Sequence, residues 1–191
     1  MLTELTQLFK QYLALSEERR PGFIASLGDG REQAELEQVF SDTPDLFRAI
    51  YTSVSGTGSD VEEAHLIEFI PGYRLIHFAE MKEAMEGLNA LLAEKKQQTE
   101  GLLLPLLTHY GGDFICYHRT PDGAERICDM LRDYGDLTVM YNSPELFLET
   151  LCEFYRQGVY FLDEEGYLDC DLIQEGEVGA ERNPGAPYWA E

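Results

Sequence analysis

The 191-residue sequence predicts an α+β fold: a single domain with a mainly antiparallel sheet flanked by helices, and an additional N-terminal helical segment. Three observations lead there. Apolar residues recur at helical spacings of three and four near the start, in the middle and late in the chain. Short β-favouring runs separated by proline- and glycine-containing turns fill the centre. With 44% apolar and 12% aromatic residues, the chain can bury one sizeable core.

The first stripe, Leu2, Leu5, Leu8, Phe9, Tyr12 and Leu13, predicts an amphipathic helix ending near Ser16. After Pro21-Gly22 and a Gly28-Asp29-Gly30 turn, Leu36, Val39 and Phe40 mark a second helical stretch. Thr43-Pro44-Asp45 combines a capping residue, a first-turn proline and an acidic first turn. It predicts a helix from Pro44 to about Val54, stopped by Gly56. Residues 1–35 are read as an N-terminal helical extension and residues 36–191 as the α+β domain.

Runs from Ala64 to Ile70 and Tyr73 to Phe78 around Pro71-Gly72 predict two strands or one bent strand. Met81, Met85, Leu88, Leu91 and Leu92 predict a long helix closing near Lys95-Lys96. Leu102 to Leu107 and Asp113 to His118 predict a strand pair across Gly111-Gly112, with another turn at Pro121-Asp122-Gly123. The segment from Ala124 to Leu131 fits either a strand or a helix, and Leu137 to Tyr141 predicts a strand. Ser143-Pro144-Glu145 opens a helix that Gly158 ends, followed by a terminal hairpin of Val159 to Leu162 and Tyr167 to Leu168.

No apolar run approaches the roughly 20 residues of a membrane span, and the first ten residues lack a signal-peptide pattern. A cytoplasmic location is expected, with no membrane partner. Cys116, Cys128, Cys152 and Cys170 form no C-x-x-C pair and read as reduced thiols. Charge is the unusual quantity: 36 acidic against 14 basic residues, a formal net of -22. Such a potential repels phosphate, so direct nucleic-acid binding is not expected, whereas encounter with basic proteins is accelerated.

Searching for chemistry gives little. His65, His77, His109 and His118 form no H-E-x-x-H or comparable pair, and Cys116-x-His118 is the nearest approach to ligand spacing. Asp163, Glu165, Asp169 and Asp171 fail the calcium-loop pattern, because Tyr167 and Leu168 occupy positions five and six and Gln174 position twelve. The glycine pairs are not followed by the Lys-Ser/Thr or helix start of a phosphate cradle. No catalytic, cofactor-binding or metal-ligating residue is nominated. A non-enzymatic binding protein is expected, with a small enzyme or metal protein using His109, His118 and Cys116 as the contrasting reading.

Leu103-Leu104-Pro105-Leu106-Leu107 leading into Gly111-Gly112-Asp113-Phe114-Ile115-Cys116-Tyr117 resembles the central signature of the SUKH superfamily of fungal cell-wall-assembly regulators and bacterial toxin-immunity proteins. Asn183-Pro184-Gly185-Ala186-Pro187-Tyr188-Trp189 is similar to a C-terminal ending seen in some members. The resemblance covers roughly Leu36 to Trp189, leaving the N-terminal helix outside it. It implies a docked tail, an α+β fold without enzymatic activity or cofactor, and a variable interaction face. The implied role is neutralisation of a basic toxin domain, often a nuclease, by occlusion; the alternative is a regulatory scaffold binding an endogenous partner. The acidic excess agrees with the first role. Candidate partner-binding residues are Asp60, Glu62 and Glu63, and Asp163, Glu164 and Glu165 with Tyr160 and Tyr167 nearby, where aromatic and acidic groups form interface-like patches.

Overall fold

The computed structural model describes residues 2–133 and 136–190 and is of the α+β class. Five antiparallel strands lie in sequence order: β1 (Arg74–Leu75), β2 (Leu102–Thr108), β3 (Phe114–Arg119), β4 (Glu125–Met130) and β5 (Leu137–Tyr141). A separate hairpin pairs β6 (Tyr160–Leu162) with β7 (Leu168–Cys170).

Helix α1 (Leu2–Arg19) buries Leu5, Phe9, Tyr12 and Leu13 of the predicted stripe, while Leu8 is half-buried and Leu2 exposed. It runs beyond Ser16, and the Glu17 carboxylate accepts from the backbone N–H groups of Gly22 and Ile24 at 2.7 and 2.8 Å. Those donors open the short helix α2 (Phe23–Ser26), so the next element satisfies one helix end through the other. Helices α3 (Gln33–Val39) and α4 (Asp45–Tyr51) follow. Helix α4 is shorter than predicted, its N-cap is Pro44, and the Thr43 hydroxyl finds no hydrogen-bond partner among the described residues. Gly56 has φ +100, and a Cβ there would meet the Ile76 carbonyl at 2.5 Å, so this turn requires glycine.

The predicted strand from Ala64 to Ile70 is a correction. Ala64–Ile67 is instead a single helical turn, α5. Side chains take the carbonyls a sheet would need: the Arg20 guanidinium donates to those of His65 and Glu68, and the Tyr12 hydroxyl to that of Phe69. Of the second run only Arg74 and Leu75 join the sheet, pairing with Thr108 and Leu107, and Phe78–Glu80 forms a 3-10 turn leading into α6 (Met81–Lys95).

The β2–β3 hairpin forms as predicted, with a bulge between Pro105 and Leu107 where proline cannot continue the ladder. The segment that fitted either period is β4, paired with β3 along its whole length from Phe114↔Met130 to Arg119↔Glu125. Helix α7 (Pro144–Arg156) starts at Ser143, whose Oγ accepts from the Leu146 N–H at 3.1 Å.

Phe114 packs toward Gly87 of α6, whereas Tyr117 meets Phe47 of α4 and Tyr141 meets Phe147 of α7. Strand alternation therefore gives the sheet two covered faces, α6 on one and α1, α4 and α7 on the other. Ile115, Tyr117, Ile127 and Asp129 share the second face.

Helix α8 (Leu172–Arg182) was not anticipated, and the tail folds back beyond it. Asn183 is buried: its amide donates to Thr150 Oγ1 at 3.1 Å and to the Gly179 carbonyl at 3.3 Å, while Oδ1 accepts from Asn142 N at 3.2 Å. Trp189 donates to the Met140 carbonyl at 2.6 Å. The tail is docked on α7, α8 and β5.

Candidate partner-binding face

The second acidic cluster sits where β6 turns into β7. Asp163 Oδ1 accepts from the backbone N–H groups of Glu165 and Tyr167 at 2.9 and 2.8 Å, which rigidifies the turn and leaves Glu164 and Glu165 exposed. Asp171 caps α8, accepting from Ile173 N and Gln174 N at 3.1 Å. The aspartates weighed as calcium ligands thus serve the backbone. Among the described residues no group of three or more His, Cys, Asp or Glu side chains is gathered so as to hold a metal ion.

Tyr160 is a correction. It faces inward at 2% exposure, tilted against Phe154 and edge-on to Tyr155, because strand alternation points residues 160 and 162 opposite to 161 and the hairpin sets Tyr160 against α7. Tyr167 is exposed as expected and is joined by apolar residues the sequence reading passed over: Phe161, Leu172, Ile173 and Tyr188. Leu172 and Ile173 are 77% and 76% exposed at the start of α8. Phe161 stands directly across from the exposed Asp169. These exposed apolar residues lie on the β6–β7 hairpin, at the start of α8 and in the tail, and Asp163, Glu164, Glu165, Asp169 and Asp171 lie on the same hairpin and at the α8 N-cap.

This face opens into a cleft of about 270 Å³ between the sheet and α8. Tyr73, Asp129, Asp169, Leu172, Glu175 and Tyr188 are among the residues that line it. Asp129 is 4% exposed, and one of its carboxylate oxygens has no hydrogen-bond partner among the described residues. Burial, then the nearby Asp113, pushes its pKa up to about 6. Burial also raises Glu175, partly relieved by hydrogen bonds from Cys170 Sγ and the Tyr160 hydroxyl, both at 3.4 Å. Neither carboxyl has an ion-pair partner among the described residues.

A signal for Asp129 existed, an acid inside the apolar run Ile127-Cys128-Asp129-Met130, but its meaning depends on that run being a strand. Glu175 belongs to α8, whose glycines Gly176 and Gly179 blur the helical pattern.

The first cluster lies elsewhere. Asp60 and Glu63 line a separate cleft with Leu27, Gly56 and His77, and Glu62 is exposed beside them. Of the residues considered for metal or proton chemistry, Cys116 is fully buried opposite Cys128. His118 bonds the Glu100 carbonyl at 2.9 Å, and His109 accepts from Gly111 N at 2.9 Å. No described helix is long and apolar enough to cross a membrane.

No protein-family model and no curated protein matches the chain.

The buried carboxyl has a measurable signature. Because the Asp129 pKa is raised on folding, its ionisation penalises the folded state. That penalty is absent below the ordinary carboxylate pKa and complete once pH passes about 6. The groups sharing its surroundings are Asp113, Tyr73, Cys116, Cys128, Glu175 and Tyr188. Urea unfolding of wild type and Asp129→Asn should show the variant gaining on the order of 2 kcal/mol relative to wild type between about pH 4 and pH 7.5, after allowance for screening. A difference independent of pH would contradict the assignment.

Proposed function

We propose that this protein is a SUKH-type immunity protein, which neutralises a basic toxin domain, such as a nuclease, by covering its working surface. The observation that carries the reading is the set of exposed apolar side chains Phe161, Tyr167, Leu172, Ile173 and Tyr188 on the β6–β7 hairpin, α8 and the tail, accompanied by acids on the same hairpin and at the start of α8. Apolar anchors accompanied by polar groups have the anatomy of a protein interface, and the sign of those groups favours a cationic mate. The net charge of -22 adds long-range attraction to any protein built to grip phosphate. The order of elements agrees with the resemblance: a helix before a glycine turn, a long helix before the Pro105 and Gly111-Gly112-Asp113 hairpin, a late capped helix, and the Asn183 to Trp189 tail. Occlusion requires no bond to be made or broken, so the protein acts as a stoichiometric inhibitor.

The test is co-expression with the product of a neighbouring toxin-like gene, followed by kinetics on the purified pair. The expected results are one-to-one inhibition and an association rate that falls at least about tenfold between about 50 mM and 500 mM salt. Reversing Asp163, Glu164 and Glu165 together to lysine should slow association in low salt and leave dissociation less affected. Failure to bind or protect, or tight binding indifferent to salt, would remove the reading.

A further inference from the structure

Resting on the partner reading above, we infer that the cleft between the sheet and α8 is a socket for one guanidinium group, carried on an arginine of the basic protein partner. Asp129 presents a buried carboxylate oxygen with no donor, and the half-buried Glu175 has no ion-pair partner, among the described residues. A buried polar atom left unpaired is costly, and an incoming cation is the group that satisfies a carboxylate best.

The walls favour guanidinium over ammonium. Tyr73 and Tyr188 offer ring surface on which a flat, weakly hydrated cation can stack, while two carboxyls offer acceptors for its fork of donors. Size points the same way: about 270 Å³ lies below the roughly 300–1,000 Å³ of pockets for drug-sized ligands, and suits one long side chain. Position links the cleft to the docking face, because Leu172 and Tyr188 belong to both. An arginine from a partner seated on Leu172 and Tyr188 would enter here, at the interior of the interface where such residues dominate binding.

The experiment titrates isotope-labelled protein with N-acetyl-arginine amide, and in parallel with N-acetyl-citrulline amide, which keeps the shape and lacks the charge. The expected result is saturable shifts at Tyr73, Asp129, Glu175 and Tyr188 with the arginine compound, with citrulline weaker by about tenfold or more. Asp129→Asn should lose the same factor, and Tyr188→Ala, which removes a partly exposed ring, should weaken binding in a protein that stays folded. Equal shifts with citrulline, or shifts unaffected by both variants, would overturn the socket. If a basic partner binds with the expected salt sensitivity while Asp129→Asn and Glu175→Gln leave its affinity unchanged, the socket falls and the partner reading stands. If N-acetyl-arginine amide binds as expected but no basic protein does, the guanidinium site stands and the partner reading falls.

Discussion

Trp189→Ala is expected to destabilise the protein by about 3–5 kcal/mol, seen as an earlier urea midpoint. The indole is 9% exposed, donates to the Met140 carbonyl, and packs edge-on against Tyr141 and Phe154 at centroid separations of 5.7 and 6.3 Å. Removing it empties the space among α7, α8 and β5 and leaves a buried carbonyl without its donor, so cavity and desolvation losses add. Gly179 reports the same fit from the other side, since a Cβ there would lie 2.5 Å from the ring. Gly179→Ala should therefore be rescued in part by Trp189→Phe. A midpoint unchanged by Trp189→Ala would mean that the tail is not part of the core.

The second large effect is expected at Arg20, which is completely buried. Its guanidinium lies 3.7 Å over the Phe23 ring and donates to the carbonyls of Glu68 and His65 at 2.5 and 3.4 Å, while Nε and Nη2 have no partner among the described residues. Arg20→Ala should cost about 3–5 kcal/mol, because it opens a cavity and leaves the carbonyls around α5 unpaired. Arg20→Met should be milder by about 2 kcal/mol, since it retains the volume and removes a buried charge that lacks a carboxylate partner. Chemical denaturation of both variants decides it, and equal losses would show that the charge itself holds α5 in place.

These sites also show where reading the chain succeeds and stops. Elements announced by local chemistry were legible: α7 by Ser143 and Pro144, the β2–β3 hairpin by Gly111-Gly112, and α1 by its stripe. Elements decided by distant partners were not. Ala64 to Ile70 has strand-like residues, yet Arg20 and Tyr12, more than 40 residues earlier, take its carbonyls. The β4 segment has an ambiguous period that only pairing with β3 resolves. Helix α8 was hidden by Gly176 and Gly179, whose presence weakens the helical pattern, although Asp171 supplied a cap. The candidate face was half visible, as acids beside Tyr167. Its apolar part depends on α8, and Tyr160 could be assigned inward only once the hairpin was placed against α7.

The pairing of α1 with α7 has a consequence for biosynthesis. Tyr12 meets Tyr155 edge-on and Cys152 reaches the Leu8 carbonyl, so the α7 partners of the first helix are separated from it by well over a hundred residues. During translation that helix emerges long before α7 and must carry the part of its apolar stripe that α7 covers bare until the last third of the polypeptide has left the ribosome. Closure of the molecule is thus a late, long-range event, and the acidic excess that repels neighbouring chains helps to keep the waiting intermediate apart from its copies.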